Sequence, residues 1–96
     1  MIAQKLSETE LTLGLNSLPG WQIKDGKLYK EYKFNSFATA LGWMVSVGVH
    51  ADKMGHHPEW FNVYNTVRVN LITHDIGNAI SNLDLELAKK MEELAS

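Results

Sequence analysis

From Thr66 to Thr73 the chain reads TVRVNLIT, with Val67, Val69 and Leu71 at every second position. That period of two predicts a strand with one buried face. The shorter run before it, from Trp60, is apolar and aromatic, and Asn65, a residue that tolerates a left-handed turn, divides the two into a hairpin. A second hairpin is predicted from WQIK, the turn Asp25-Gly26 and KLYKEYKF, because an Asp-Gly pair between strand-like runs satisfies the tight primed turns. Leu28, Tyr32 and Phe34 fall on one face of its second strand, and Lys27, Tyr29, Glu31 and Lys33 on the other.

The remaining segments carry helical spacing. Ser7-Glu-Thr-Glu10 is a capping-box pattern, followed by Leu11, Leu15 and Leu18 and closed by Pro19-Gly20. Asn35 or Ser36 caps a second helix that runs to about Met54, with Gly55 as its left-handed stop. This helix has two apolar stripes, Phe37, Leu41, Val45 and Gly48 on one and Ala40, Trp43, Val47, Ala51 and Met54 on the other. One stripe suffices to cover a sheet in a thin domain, so the second predicts burial against another subunit; a helix sunk deeper in its own core is the plainer alternative. Gly77-Asn78 breaks the chain again. Ser81 to Asp84 then caps a last helix whose inner face is Leu87, Ala88, Met91, Leu94 and Ala95. Helix, hairpin, helix, hairpin, helix predicts an α+β fold in two layers: a four-stranded antiparallel sheet with three helices on one face.

Ninety-six residues, 45% apolar and 21% charged, are expected to form a single domain over residues 1–96. Nine basic against eleven acidic residues leave a formal charge of −2, too little field to draw in nucleic acid directly. There is no cysteine, hence neither disulfide framework nor thiolate chemistry. No run approaches a membrane span, and the N-terminus lacks a signal-peptide core. The cytoplasm is the default expectation, with a nuclear location open.

The chemistry concentrates in Asp52-Lys-Met-Gly-His56-His57-Pro58-Glu59-Trp60 and in Thr73-His74-Asp75, which together hold three of the four histidines. A hairpin between the two pieces brings His74 back beside His56 and His57. Histidine alone has an unperturbed pKa, about 6.5, that serves acid and base roles near neutrality. Asp52 and His56 stand four apart at the helix end, so Asp52 is expected to orient the His56 imidazole. Pro58 stiffens the loop just beyond. The plainer readings are a solvated helix cap for His56 and His57, a turn residue for His74, a turn cap for Asp75, and a core or pocket wall for Trp21 and Trp60. A metal site lacks both HExxH and CxxC spacing, acyl transfer lacks a GxSxG elbow, and no glycine-rich loop opens a helix to hold phosphate.

The spelling Asp52-Lys53, His56-His57-Pro58-Glu59-Trp60, Val63-Tyr64-Asn65, Val67, Val69, Leu71, Thr73-His74-Asp75 resembles the pterin-4a-carbinolamine dehydratase family, also known as the dimerization cofactor of a homeodomain transcription factor. Weaker similarity runs from Gly20-Trp21 to the last helix. The resemblance implies the same element order, a homodimer or homotetramer, and dehydration of 4a-hydroxytetrahydropterin to quinonoid dihydropterin with neither metal nor other cofactor. It implies His56, His57 and His74 as active-site histidines with Asp52 as their acidic companion, and His57, Pro58, Thr73, Asp75 and Ile76 as pterin contacts, with Trp60 beside them. It also implies a second possibility, a protein-interaction module that uses the apolar second helix to meet a transcription factor or a pterin-dependent hydroxylase. The chain departs from the family after Asp75: Gly77-Asn78-Ala79-Ile80-Ser81 stands where a second glycine and a leucine-threonine or leucine-serine pair is usual, one residue longer before Asp84.

Overall fold

The computed structural model describes residues 2–96. In chain order it contains α1 (Glu8–Asn16), β1 (Gln22–Lys24), β2 (Lys27–Lys33), α2 (Phe37–Met54), β3 (Glu59–Val63), β4 (Thr66–Leu71), a 3-10 turn (His74–Ile76) and α3 (Asn82–Ala95). The strands make one antiparallel sheet in the order β1-β2-β4-β3. The expected α+β class and the two hairpins are therefore present, and β4, the most strictly alternating run, is a central strand.

Each boundary has a local cause. Ser7 accepts from the Glu10 backbone N–H while the Glu10 side chain reaches back, completing the capping box of α1. Those bonds also hold the Glu10 carboxyl below its usual range. Ser36, rather than Asn35, caps α2 by accepting from Thr39 N–H at 3.0 Å. In the first hairpin Asp25 and Gly26 both take positive φ, as a primed turn requires. The second hairpin differs from expectation: the left-handed residue is Tyr64, at φ 49°. Asn65 instead uses its side chain, donating to the Phe34 carbonyl at 2.8 Å while its own carbonyl accepts from Phe34 N–H. It ties the hairpin to the end of β2.

Leu28 and Tyr32 of β2 and Val67, Val69 and Leu71 of β4 point into the core, as their alternation predicts. They meet Ala40, Trp43, Val47 and Ala51 of α2 and Leu87, Ala88 and Met91 of α3. Thus one α2 stripe is the core stripe. The other faces solvent in the single chain, with Val45 60% exposed beside half-exposed Phe37 and Leu41, while Gly48 is half-buried and Val49, outside the expected stripe, is 67% exposed. Leu94 and Ala95 lie outside the core cluster and are exposed, contrary to expectation. No helix is long and apolar enough to cross a membrane among the described residues.

At the far end of α3, Glu92 Oε2 accepts from Trp21 Nε1 at 3.2 Å, from Lys30 Nζ at 2.6 Å and from the Tyr32 hydroxyl. Burial acts to raise the Glu92 pKa, but the hydrogen bonds from Lys30 and Tyr32 and the charge of Lys30 outweigh it, so the carboxyl sits below its ordinary 4.5. Burial, then the bond to Glu92, pushes the Tyr32 phenol up. A carboxyl depressed in the folded state stabilises the fold above its unfolded pKa, and that stabilisation is lost as pH falls through the folded value. Glu92→Gln is expected to cost about 1–3 kcal/mol at neutral pH. In urea melts it should also flatten the decline in stability that wild type shows between roughly pH 5 and 3.

Candidate active site

The C-terminal end of α2 decides where the first two histidines go. Gly55 is left-handed at φ 69°, its N–H and that of His56 closing back on the Asp52 and Ala51 carbonyls at 3.1 Å each. This is the paired closure of a Schellman motif, and it stops the helix before His56. The i, i+4 geometry needed for Asp52 to reach His56 therefore does not exist. The chain turns inward, and His56 Nε2 meets Asp84 Oδ1 at 2.6 Å, both groups buried. Asp52 stays exposed and faces His57 instead, its Oδ1 3.3 Å from Nε2.

Asp84 is fully buried at the start of α3. Its Oδ2 accepts from the Ser81 backbone N–H at 2.8 Å and from Thr73 Oγ1 at 2.8 Å. Thr73 Oγ1 also lies 2.6 Å from Ser81 Oγ. The Thr73 proton goes to the carboxylate, so the Ser81 hydroxyl donates to Thr73, and Ser81 Oγ in turn accepts from Leu83 N–H at 3.1 Å. No buried side-chain polar atom among the described residues lacks a partner.

His74 begins the 3-10 turn after β4 and is exposed. Its Nδ1 lies 2.7 Å from Asn78 Oδ1, and its Nε2 lies 3.4 Å from Glu59 Oε2. Glu59 is held in turn by Lys27 across the sheet at 2.6 Å. The Lys27 hydrogen bond, supplemented by His74, keeps the Glu59 carboxyl below its usual range. Gly77 and Asn78 are left-handed in succession, between the His74 turn and Ala79, which bridges back to Thr73.

Gly55, His56, His57, Ile72, Thr73, His74, Asp75 and Leu83 line one open cleft of about 230 Å³. That is below the roughly 300–1,000 Å³ of pockets for drug-sized ligands. A larger depression of about 330 Å³ on α1 is lined by Glu8, Thr9, Thr12 and Leu13. It offers one carboxylate and no imidazole, whereas the smaller cleft gathers three histidines. Of the residues expected at the site, His56, His57, Thr73, His74 and Asp75 line the cleft, whereas Asp52 reaches it only through His57. Pro58, Trp60 and Ile76 are half-buried beside it but not in its wall, Trp60 packing on Trp43 with ring centroids 6.2 Å apart. Among the described residues no three His, Asp or Glu side chains converge closely enough to hold a metal ion.

A family model described as pterin 4 alpha carbinolamine dehydratase matches residues 4–94. The chain belongs to the pterin 4 alpha carbinolamine dehydratase family. A Solibacter usitatus protein provisionally named pterin-4-alpha-carbinolamine dehydratase is 46% identical over 92 residues, 96% of each chain. The crystal structure of a Brucella melitensis protein, described as a transcriptional coactivator/pterin dehydratase, superposes with a TM-score of 0.92 at 42% identity, covering 97% of this chain and 100% of the other. A pterin dehydratase-like protein identified as a RuBisCO assembly factor in the alpha-carboxysome shares the fold, with a TM-score of 0.64 at 21% identity over 79% of this chain and 87% of its own.

Sequence reasoning placed Asp84 only as a helix cap. The signal for more was its position: residues 84, 87, 88 and 91 form one stripe of α3, and a carboxylate on an otherwise apolar stripe must find donors. Asp84→Asn is expected to cost about 3 kcal/mol or more in urea unfolding, since it leaves buried donors mispaired. Asp52→Asn should leave the unfolding midpoint unchanged, because the Asp52–His57 pair is exposed.

Proposed function

We propose that this chain dehydrates 4a-hydroxytetrahydropterins to quinonoid dihydropterins, a step in tetrahydrobiopterin recycling, by histidine acid–base catalysis in the cytoplasm. The observation that carries the reading is the convergence of His56, His57 and His74 on one cleft in a member of this family. Loss of water breaks the C4a–O bond, removes the N5 proton and forms the C4a=N5 double bond. A base must take the N5 proton and an acid must protonate the departing hydroxide, so the enzyme ends with as many protons as it began. Imidazoles do both near neutrality, each positioned transfer being worth roughly 10²–10⁴-fold.

The roles follow exposure. His57 and His74, with Asp75, are open to the cleft and reach the substrate, while buried Thr73 closes its wall and donates to Asp84. His56 is buried with Asp84 behind it, and Asp84, not Asp52, orients that ring. Freshly generated 4a-hydroxytetrahydropterin should decay faster with wild type than without protein, followed by absorbance. His74→Ala should lose about 10²-fold or more of the acceleration; decay at the spontaneous rate with folded wild type would sink the enzyme reading.

The solvent-facing stripe of α2, with Phe37, Leu41, Val45 and Val49, favours a further role for this helix, packing against a second copy of the chain. A protein partner would have to compete for the same stripe. Val45→Glu, which leaves the core untouched, is expected to lower the native mass to that of a smaller assembly. An unchanged mass would remove this stripe from the interface.

A further inference from the structure

The three cleft histidines differ in which ring nitrogen is already engaged. For His56 it is Nε2, held by buried Asp84 at 2.6 Å, and for exposed His57 it is also Nε2, 3.3 Å from Asp52. For His74 it is Nδ1, 2.7 Å from Asn78 Oδ1, while Nε2 has only the looser 3.4 Å approach of Glu59. An amide oxygen is an acceptor without a proton, so the short contact requires a proton on Nδ1. In a neutral imidazole the other nitrogen then carries the lone pair.

Resting on the dehydratase reading, we infer that Asn78 is a positioning residue: it fixes His74 as the Nδ1–H tautomer and leaves Nε2 as the atom that exchanges a proton with the substrate. His74 cycles between that tautomer and the imidazolium, and its Nδ1 proton never leaves. Glu59, tethered by Lys27, stands on the Nε2 side and receives the second N–H whenever the ring is charged. Asn78 belongs to the part of the chain that departs from the usual family spelling. Its φ of 59° is one that asparagine, aspartate and glycine accept at little cost. The backbone at residue 78 therefore tolerates substitutions that remove or keep the acceptor.

That tolerance makes a clean pair of variants. Asn78→Gly removes the acceptor without backbone strain, and Asn78→Asp keeps an oxygen for the Nδ1 proton. The tautomer is read directly from long-range ¹H–¹⁵N correlations of the imidazole, with the His74 signals assigned by their loss in His74→Gln, and dehydration is followed on 4a-hydroxytetrahydropterin. Wild type and Asn78→Asp are expected to show a protonated Nδ1 and, once the ring is neutral at higher pH, a bare Nε2. Asn78→Gly should shift toward the Nε2–H form preferred by free imidazole. Its kcat should fall by about tenfold or more with KM changed by no more than about twofold, and Asn78→Asp should recover most of the rate. A His74 that keeps its Nδ1 proton in Asn78→Gly, or that carries the neutral-ring proton on Nε2 in wild type, overturns the assignment. A wild type that shows the Nδ1–H form yet gives no acceleration would instead refute the dehydratase reading, so the two failures are distinguishable.

Discussion

A carboxylate with no access to water holds the site end of this protein together. Leaving Asp84 buried and charged would cost several kcal/mol if it were unpaired, and the fold meets that cost with donors from three places: His56 after α2, Thr73 after β4, and the backbone of Ser81 at the start of α3. The three elements cannot drift apart without exposing one of these bonds. Removing the charge therefore disturbs both the wall and the floor of the cleft.

The cleft and the outer stripe of α2 are opposite uses of one helix. Its C-terminal turn, through Gly55, delivers two histidines to the cleft, while Val45 and Val49 on its flank face solvent in the single chain. A scaffold that separates these tasks can keep one and lose the other. Fold alone does not distinguish such roles, and the imidazoles of the cleft are what argue for catalysis in this chain.

Much of the architecture was legible in residue order because local chemistry and global packing agree. Both capping boxes, the Asp25-Gly26 turn, the glycine stop of α2 and the alternation of Val67, Val69 and Leu71 name their own structures. What was not legible depends on which way a chain turns after an element ends. Asp52 and His56 have helical spacing, but a left-handed Gly55 cancels it one residue too early. Asn65 looks like the left-handed residue of its hairpin, yet its side chain is worth more as a donor to the Phe34 carbonyl, and Tyr64 takes the positive φ. Asp84 was visible as a cap but not as the partner of a histidine 28 positions away, because pairing at that range is written in no local pattern.

The floor of the cleft is also tied to the beginning of the chain. Lys5 bridges to Ser81, Leu6 N–H donates to the Ile80 carbonyl, and Asn82 holds Gln4 N–H and the Ile2 carbonyl through its side chain. Chain ends usually fray unless tied down; here the tie is made to the residues that carry the Ser81 and Asp84 network. The first described residues are therefore braced against the same turn that carries the buried carboxylate. The N-terminal segment thus backs a cleft whose lining contains none of its side chains.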